Sequence, residues 1–136
     1  MERLNRKRQK LTEELFEKAQ ALAEKQSTDP VIIIGGLEFH GGLIGLIAGK
    51  LAEKYARPVI VMEERSAVLI GSCRSVPAVN IVEALTKAKD LLTHFGGHAA
   101  AAGFEIPKEN RGAFEERVKA AIKQNFNPGN AQAVLT

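Results

Sequence analysis

The chain has 136 residues, 45% of them hydrophobic and 26% charged, the balance of one globular domain long enough to bury a core. Its single cysteine, Cys73, excludes an internal disulfide framework, and no uncharged run approaches the roughly 20 apolar residues of a membrane span. The expectation is a cytoplasmic protein without membrane contact, whose net charge of +3 is concentrated at one end. Arg3, Arg6, Lys7, Arg8 and Lys10 face only Glu2 there, a pattern that fits a solvated helix face as well as a nucleic-acid contact.

Leu4, Leu11, Leu15, Ala19, Leu22 and Ala23 recur at helical spacing and predict an amphipathic helix over 3–25, closed by Ser27-Thr28-Asp29-Pro30. A helix of this kind leading into a domain reads as a linker or docking element, so 1–28 is taken as an interdomain linker. Val31 to Ile34 is a wholly apolar, β-branched run, the mark of a strand covered on both faces. Gly41-Gly42 opens a helix to about Tyr55, and Pro58 precedes a second apolar run, Val59 to Met62. Strand, helix, strand at this spacing predicts a parallel crossover unit. A further strand is expected over Ala67 to Cys73, a helix capped by Asn80 over 81–92, a loop over 94–102, a strand over 103–106 and a closing helix from Lys108 to about Asn125. The fold class is α/β, a mixed β-sheet with flanking helices. Residues 29–125 form the domain, and 126–136 is expected to be a flexible tail.

Most familiar chemistries are missing. Gly45 to Lys50 imitates a phosphate-binding P-loop, but its glycines are one residue too close and Leu51 stands where a magnesium-binding hydroxyl is needed. Glycines 42, 45 and 49 more simply let that helix pack closely on the sheet. Two aspartates and three histidines, scattered along the chain, do not make a two-metal site. Asp90 and His94 share the spacing of a helix-surface pair, and Cys73 reads as a small residue near the core.

Three loops remain that suit phosphate. Phe39-His40-Gly41-Gly42 precedes a helix N-terminus, where free N–H groups favour an anion. Gly71-Ser72-Cys73-Arg74-Ser75 offers a guanidinium flanked by two hydroxyls. Gly96-Gly97-His98 combines permissive backbone with a donor, and Ala99 to Ala102 add nothing larger than a methyl group. Each has a plainer reading: a turn, a surface ion pair and a helix C-cap.

Together, Gly-Ser-Cys-Arg-Ser at 71–75 and Phe-Gly-Gly-His-Ala-Ala-Ala-Ala-Gly at 95–103 closely resemble the DHH-associated C-terminal domain of the RecJ-like single-strand-specific exonucleases. The resemblance extends to 39–45, although Phe39 and Gly41 stand where that family has Trp and Pro, and covers residues 1 to about 125. It implies a nucleic-acid-binding domain facing a catalytic DHH domain that holds manganese or magnesium. That metal-bearing half is not among these residues, so no hydrolysis is expected from this chain alone, and no cofactor or metal of its own. By carry-over, His40, Gly41, Arg74, Ser75, Gly96, Gly97 and His98 would contact the phosphates of single-stranded DNA or short oligonucleotides, with His98 nearest the cleaved bond. Two other readings stay open: a DHH-type phosphoesterase domain for very short oligonucleotides or cyclic dinucleotides, and a non-catalytic interaction module.

Overall fold

The computed structural model describes residues 2–36 and 41–125. His40 and the 126–136 tail lie outside the described residues. In chain order the elements are helix α1 (Glu2–Glu24), strand β1 (Ile32–Gly36), helix α2 (Gly41–Tyr55), strands β2 (Val59–Glu64) and β3 (Val68–Arg74), short helix α3 (Ile81–Thr86), strands β4 (His94–His98) and β5 (Ala101–Pro107), and helix α4 (Arg111–Asn125). The strands form one sheet in the order β1-β2-β3-β5-β4. Only β1 and β2 run parallel, joined through α2, and the other neighbours are antiparallel. The expected mixed α/β fold and crossover unit are therefore present.

Two apolar layers flank the sheet. β1 and β2 are apolar on both faces: Ile33, Ile60 and Met62 pack with Leu85, Phe114 and Val118 of α3 and α4, whereas Ile32, Ile34 and Val61 pack with Ile47 and Leu51 of α2. Leu15, Ala19 and Ala23 of α1 belong to this second cluster, so the helix expected as a linker packs on the domain through its C-terminal half. Tyr55 donates to Glu24 at 2.7 Å and fastens the ends of α1 and α2 together.

β3 and β5 alternate instead. Leu69, Gly71 and Cys73, with Ala102, Phe104 and Ile106, are buried toward α3 and α4, and the intervening residues are only half-buried. The helices on the α2 side cover β1 and β2 and reach β3, and among the described residues no helix lies over that face of β5 and β4.

Three expectations require correction. The helix from Ile81 stops at Thr86 rather than near residue 92, because Ala88 leaves helical geometry (φ −110°, ψ 14°) before a 3₁₀ turn at Lys89–Leu91. Tertiary contacts hold that turn: Asn110 Nδ2 donates to the Leu91 carbonyl at 3.0 Å, and Asp90 pairs with Arg117 rather than with His94. Residues 94–102 are not a loop but the first strand and tight turn of a hairpin whose second strand starts at Ala101. The closing helix likewise begins at Arg111, after a 3₁₀ turn at Lys108–Asn110.

Candidate nucleic-acid interface

In an antiparallel sheet, directly opposed residues project to the same face. Arg74 opposes Ala101, and Ala101 opposes His98. The two residues proposed from distant motifs thus share one row across three strands, on the face toward α2, with Cα atoms about 9–10 Å apart by strand spacing. The neighbouring row on that face is Ser72, Gly103 and Gly96, and the next is Ile70, Glu105 and His94. The result is a shelf floored by small residues, with Arg74 on the α2 side and His98 at the outer edge.

Arg74 is held rather than free to sweep. Its Nη1 donates to Ser72 Oγ at 3.1 Å and to the Cys73 carbonyl at 2.8 Å, and no carboxylate pairs with it among the described residues. The side chain lies along α2. A Cβ added at Gly45 would meet Arg74 Nη2 at 2.9 Å and Ser72 Oγ at 3.3 Å. Close packing of α2 on the sheet, expected from its glycines, is therefore packing on this arginine. A half-buried, pre-oriented guanidinium with no carboxylate paired to it among the described residues has the donors to receive an anion. The adjacent Cys73 is fully buried, and burial pushes its thiol well above the ordinary range, which removes it as a nucleophile.

The glycines separate into two kinds. At Gly97 φ is +141°, and a Cβ would sit 2.5 Å from the Ala101 carbonyl oxygen, so the hairpin requires glycine there. At Gly96 a Cβ would meet nothing within 4 Å, and at Gly103 it would meet only the Gly71 carbonyl oxygen, at 3.4 Å. Internal packing requires neither, yet they stand opposite one another in the middle of the shelf.

The four alanines also divide. Ala99 and Ala100 make the turn, Ala101 lies between Arg74 and His98, and Ala102 packs toward the core. His94 Nε2 lies 3.6 Å from Glu105 Oε1, the residue opposite it, so the one carboxylate on the shelf has a basic neighbour.

Ser75 is hydrogen-bonded within its own loop and to the facing turn. Its hydroxyl donates to the Val79 carbonyl at 2.7 Å and its amide to the Ala100 carbonyl at 2.8 Å. With both donors committed, Ser75 braces the loop after β3, and Ser72 is the serine on the shelf. Ser72, Ala101 and Gly103, which the motifs include, join the row pattern of this face. The signal was available for Ser72, since its i, i+2 spacing from Arg74 on a strand places both on one face. Gly41 begins α2, with His40 outside the described residues.

The shelf does not fit a metal ion. Its charged members are cationic or already paired, and among the described residues no three His, Cys, Asp or Glu side chains come together to hold one. No described helix is long and apolar enough to cross a membrane.

Comparison with known proteins identifies the family. Residues 28–124 match the DHHA1 domain family. The single-stranded-DNA-specific exonuclease RecJ of Bacillus subtilis is 34% identical over 113 residues, covering 81% of this chain and 14% of the relative. A structure of exonuclease RecJ bound to manganese superposes with a TM-score of 0.82 at 33% identity, covering 95% of this chain and 32% of the other. RecJ of Thermus thermophilus in complex with Mg2+ gives 0.79 at 34% identity, covering 93% and 19%. The chain thus spans less than a third of these relatives. Its sheet, its paired glycine motifs and the family match converge: the chain belongs to the DHHA1 domain family and resembles the segment of that family found in RecJ exonucleases.

Proposed function

We propose that this chain is the strand-holding domain of a RecJ-like single-stranded-DNA exonuclease in the cytoplasm, gripping the phosphate backbone for a catalytic DHH domain of the same parent protein. The observation that carries the reading is the Arg74–Ala101–His98 row beside a floor of Ser72, Gly103 and Gly96. Arg74 neutralises a phosphate with a guanidinium already oriented by Ser72 and the Cys73 carbonyl. His98 donates to a phosphate oxygen from the open edge. Gly96 and Gly103 let the sugar–phosphate chain lie against the strands. Gly41 and His40 supply a further contact at the start of α2. The manganese or magnesium chemistry of hydrolysis belongs to the DHH domain, and none of it is assigned to residues of this chain. Contacts of this kind hold and orient a strand without reading its sequence.

The test is titration of a labelled oligothymidylate at low salt into the chain and into an Arg74→Ala, His98→Ala double variant. Affinity is expected to fall at least about tenfold, and the log–log salt slope to become shallower by about one. Equal affinities and equal slopes would overturn the proposal.

A further inference from the structure

Beyond the Arg74–His98 row the sheet ends, and a cavity of about 310 Å³ opens there, lined by Ser75, Val76, Pro77, Val79, Asn80 and the turn residues Ala99 and Ala100. The size falls at the lower end of small-ligand sites, and the walls are mostly hydrocarbon with one amide. Its frame is fixed by hydrogen bonds that the shelf does not use. Ser75 Oγ donates to the Val79 carbonyl at 2.7 Å, Ser75 N to the Ala100 carbonyl at 2.8 Å, and Ile81 N to the Ala99 carbonyl at 3.1 Å. Such a frame is set before any ligand arrives.

The position of the cavity indicates its occupant. Ser75 is the chain neighbour of Arg74, and Ala99 is the neighbour of His98. The cavity lining therefore begins one residue along the chain from the row that would hold a phosphate, at the end of the sheet where the α3 layer supplies Val76 and Val79. The Ala99–Ala100 turn forms the lip between them, and its methyl groups keep that lip low. A group joined covalently to a phosphate, planar and largely apolar on its faces with acceptors on its edge, matches these walls. Asn80 supplies the matching donor: its Oδ1 accepts from Val82 N at 3.1 Å and Glu83 N at 3.2 Å, so its Nδ2 protons are what it offers a ligand.

We infer that this cavity receives a nucleobase of the strand whose phosphate rests on the shelf. The inference rests on the phosphate-gripping reading above and adds to it a contact that depends on the base rather than on charge. Val76, Val79 and Pro77 cover the ring, and Asn80 donates to an edge acceptor, a ring nitrogen or a carbonyl oxygen, at least one of which every natural base possesses. The subsite is thus tolerant of sequence. It also explains how a chain poor in aromatic side chains, with six Phe, one Tyr and no Trp, can hold a base without a stacking partner.

The experiment compares a 5′-phosphorylated trithymidylate with an abasic trimer of identical charge, in which tetrahydrofuran replaces each base. Binding is read by calorimetry and by the methyl resonances of Val76, Val79, Ala99 and Ala100. The base-containing trimer is expected to bind at least about tenfold more tightly and to shift those resonances, whereas the abasic one leaves them in place. Ala100→Leu, which fills the cavity from an exposed turn position, should remove the advantage of the trithymidylate over the abasic trimer. Equal binding of the two trimers by the unaltered chain would overturn the base subsite while leaving the phosphate grip standing. Failure of both to bind would overturn the two together.

Discussion

Toward α3 and α4, strands β3 and β5 press Phe104 over Gly71, with the Phe114 ring 4.8 Å away and tilted by 41°. Toward α2, the same two strands and β4 present Ser72, Gly103 and Gly96, and nothing lies within 4 Å of a Cβ added at Gly96. One face uses glycine because a ring occupies the space. The other uses glycine where the protein itself leaves the space empty. A strand glycine costs about 0.5–1 kcal/mol relative to alanine, so an uncompensated pair of them calls for something that approaches from outside.

Substitutions that exchange these two situations test the contrast, and the largest effect belongs to Gly71→Ala. Its Cβ would sit 2.1 Å from the Phe104 ring, so denaturant titration should show a loss of about 3 kcal/mol, while the fraction that stays folded binds oligothymidylate normally. Next is Gln26→Ala. The Gln26 amide donates to the Ile33 carbonyl at 2.8 Å and accepts from the Ile33 amide at 2.9 Å, closing the outer edge of β1 as a paired residue would. Its loss should cost about 1–2 kcal/mol by the same assay and leave affinity untouched. A drop in affinity would mean that the covered and bare regions are not independent.

Gly96→Ala should do the reverse, raising stability by about 0.5 kcal/mol while weakening the strand's grip, as followed by thermal melts and anisotropy. The smallest effect is electrostatic. The Arg117 guanidinium hydrogen-bonded to Asp90 holds its carboxyl below the ordinary value of 3.8. Because the folded form binds the proton less readily, this contribution is present above the ordinary carboxylate range and disappears as pH falls through the lowered value. The difference in melting temperature between the chain and Asp90→Asn should therefore shrink on acidification, with no change in oligothymidylate affinity at neutral pH.

The sequence was most legible where apolar chemistry repeats. Val31 to Ile34 and Val59 to Met62 announce strands buried on both faces, and the helix between them follows from its own periodicity. It was least legible across His94–Pro107. Glycine and alanine carry no alternation of size or polarity, so His94-Phe-Gly-Gly-His98 reads as a loop until pairing with β5 makes it a strand. The end of α3 was hidden for another reason, since Arg117 and Asn110, far along the chain, hold the turn that replaces its last predicted residues. In the site, Arg74 stood out as a guanidinium between Ser72 and Ser75, and His98 as a titratable group after two glycines. Their shared row could not be read without the register, and neither could the diversion of the Ser75 hydroxyl to the Val79 carbonyl.

The most direct measurement pairs the stability of Gly96→Val with its affinity for single-stranded DNA across a salt series. A branched side chain suits an exposed strand and has room here, so the melting temperature should hold or rise, while binding falls by at least about tenfold at every salt concentration. A variant that melts as the parent does and binds just as tightly would show that no sugar–phosphate chain lies along Gly96, and the bare half of the sheet would need another explanation.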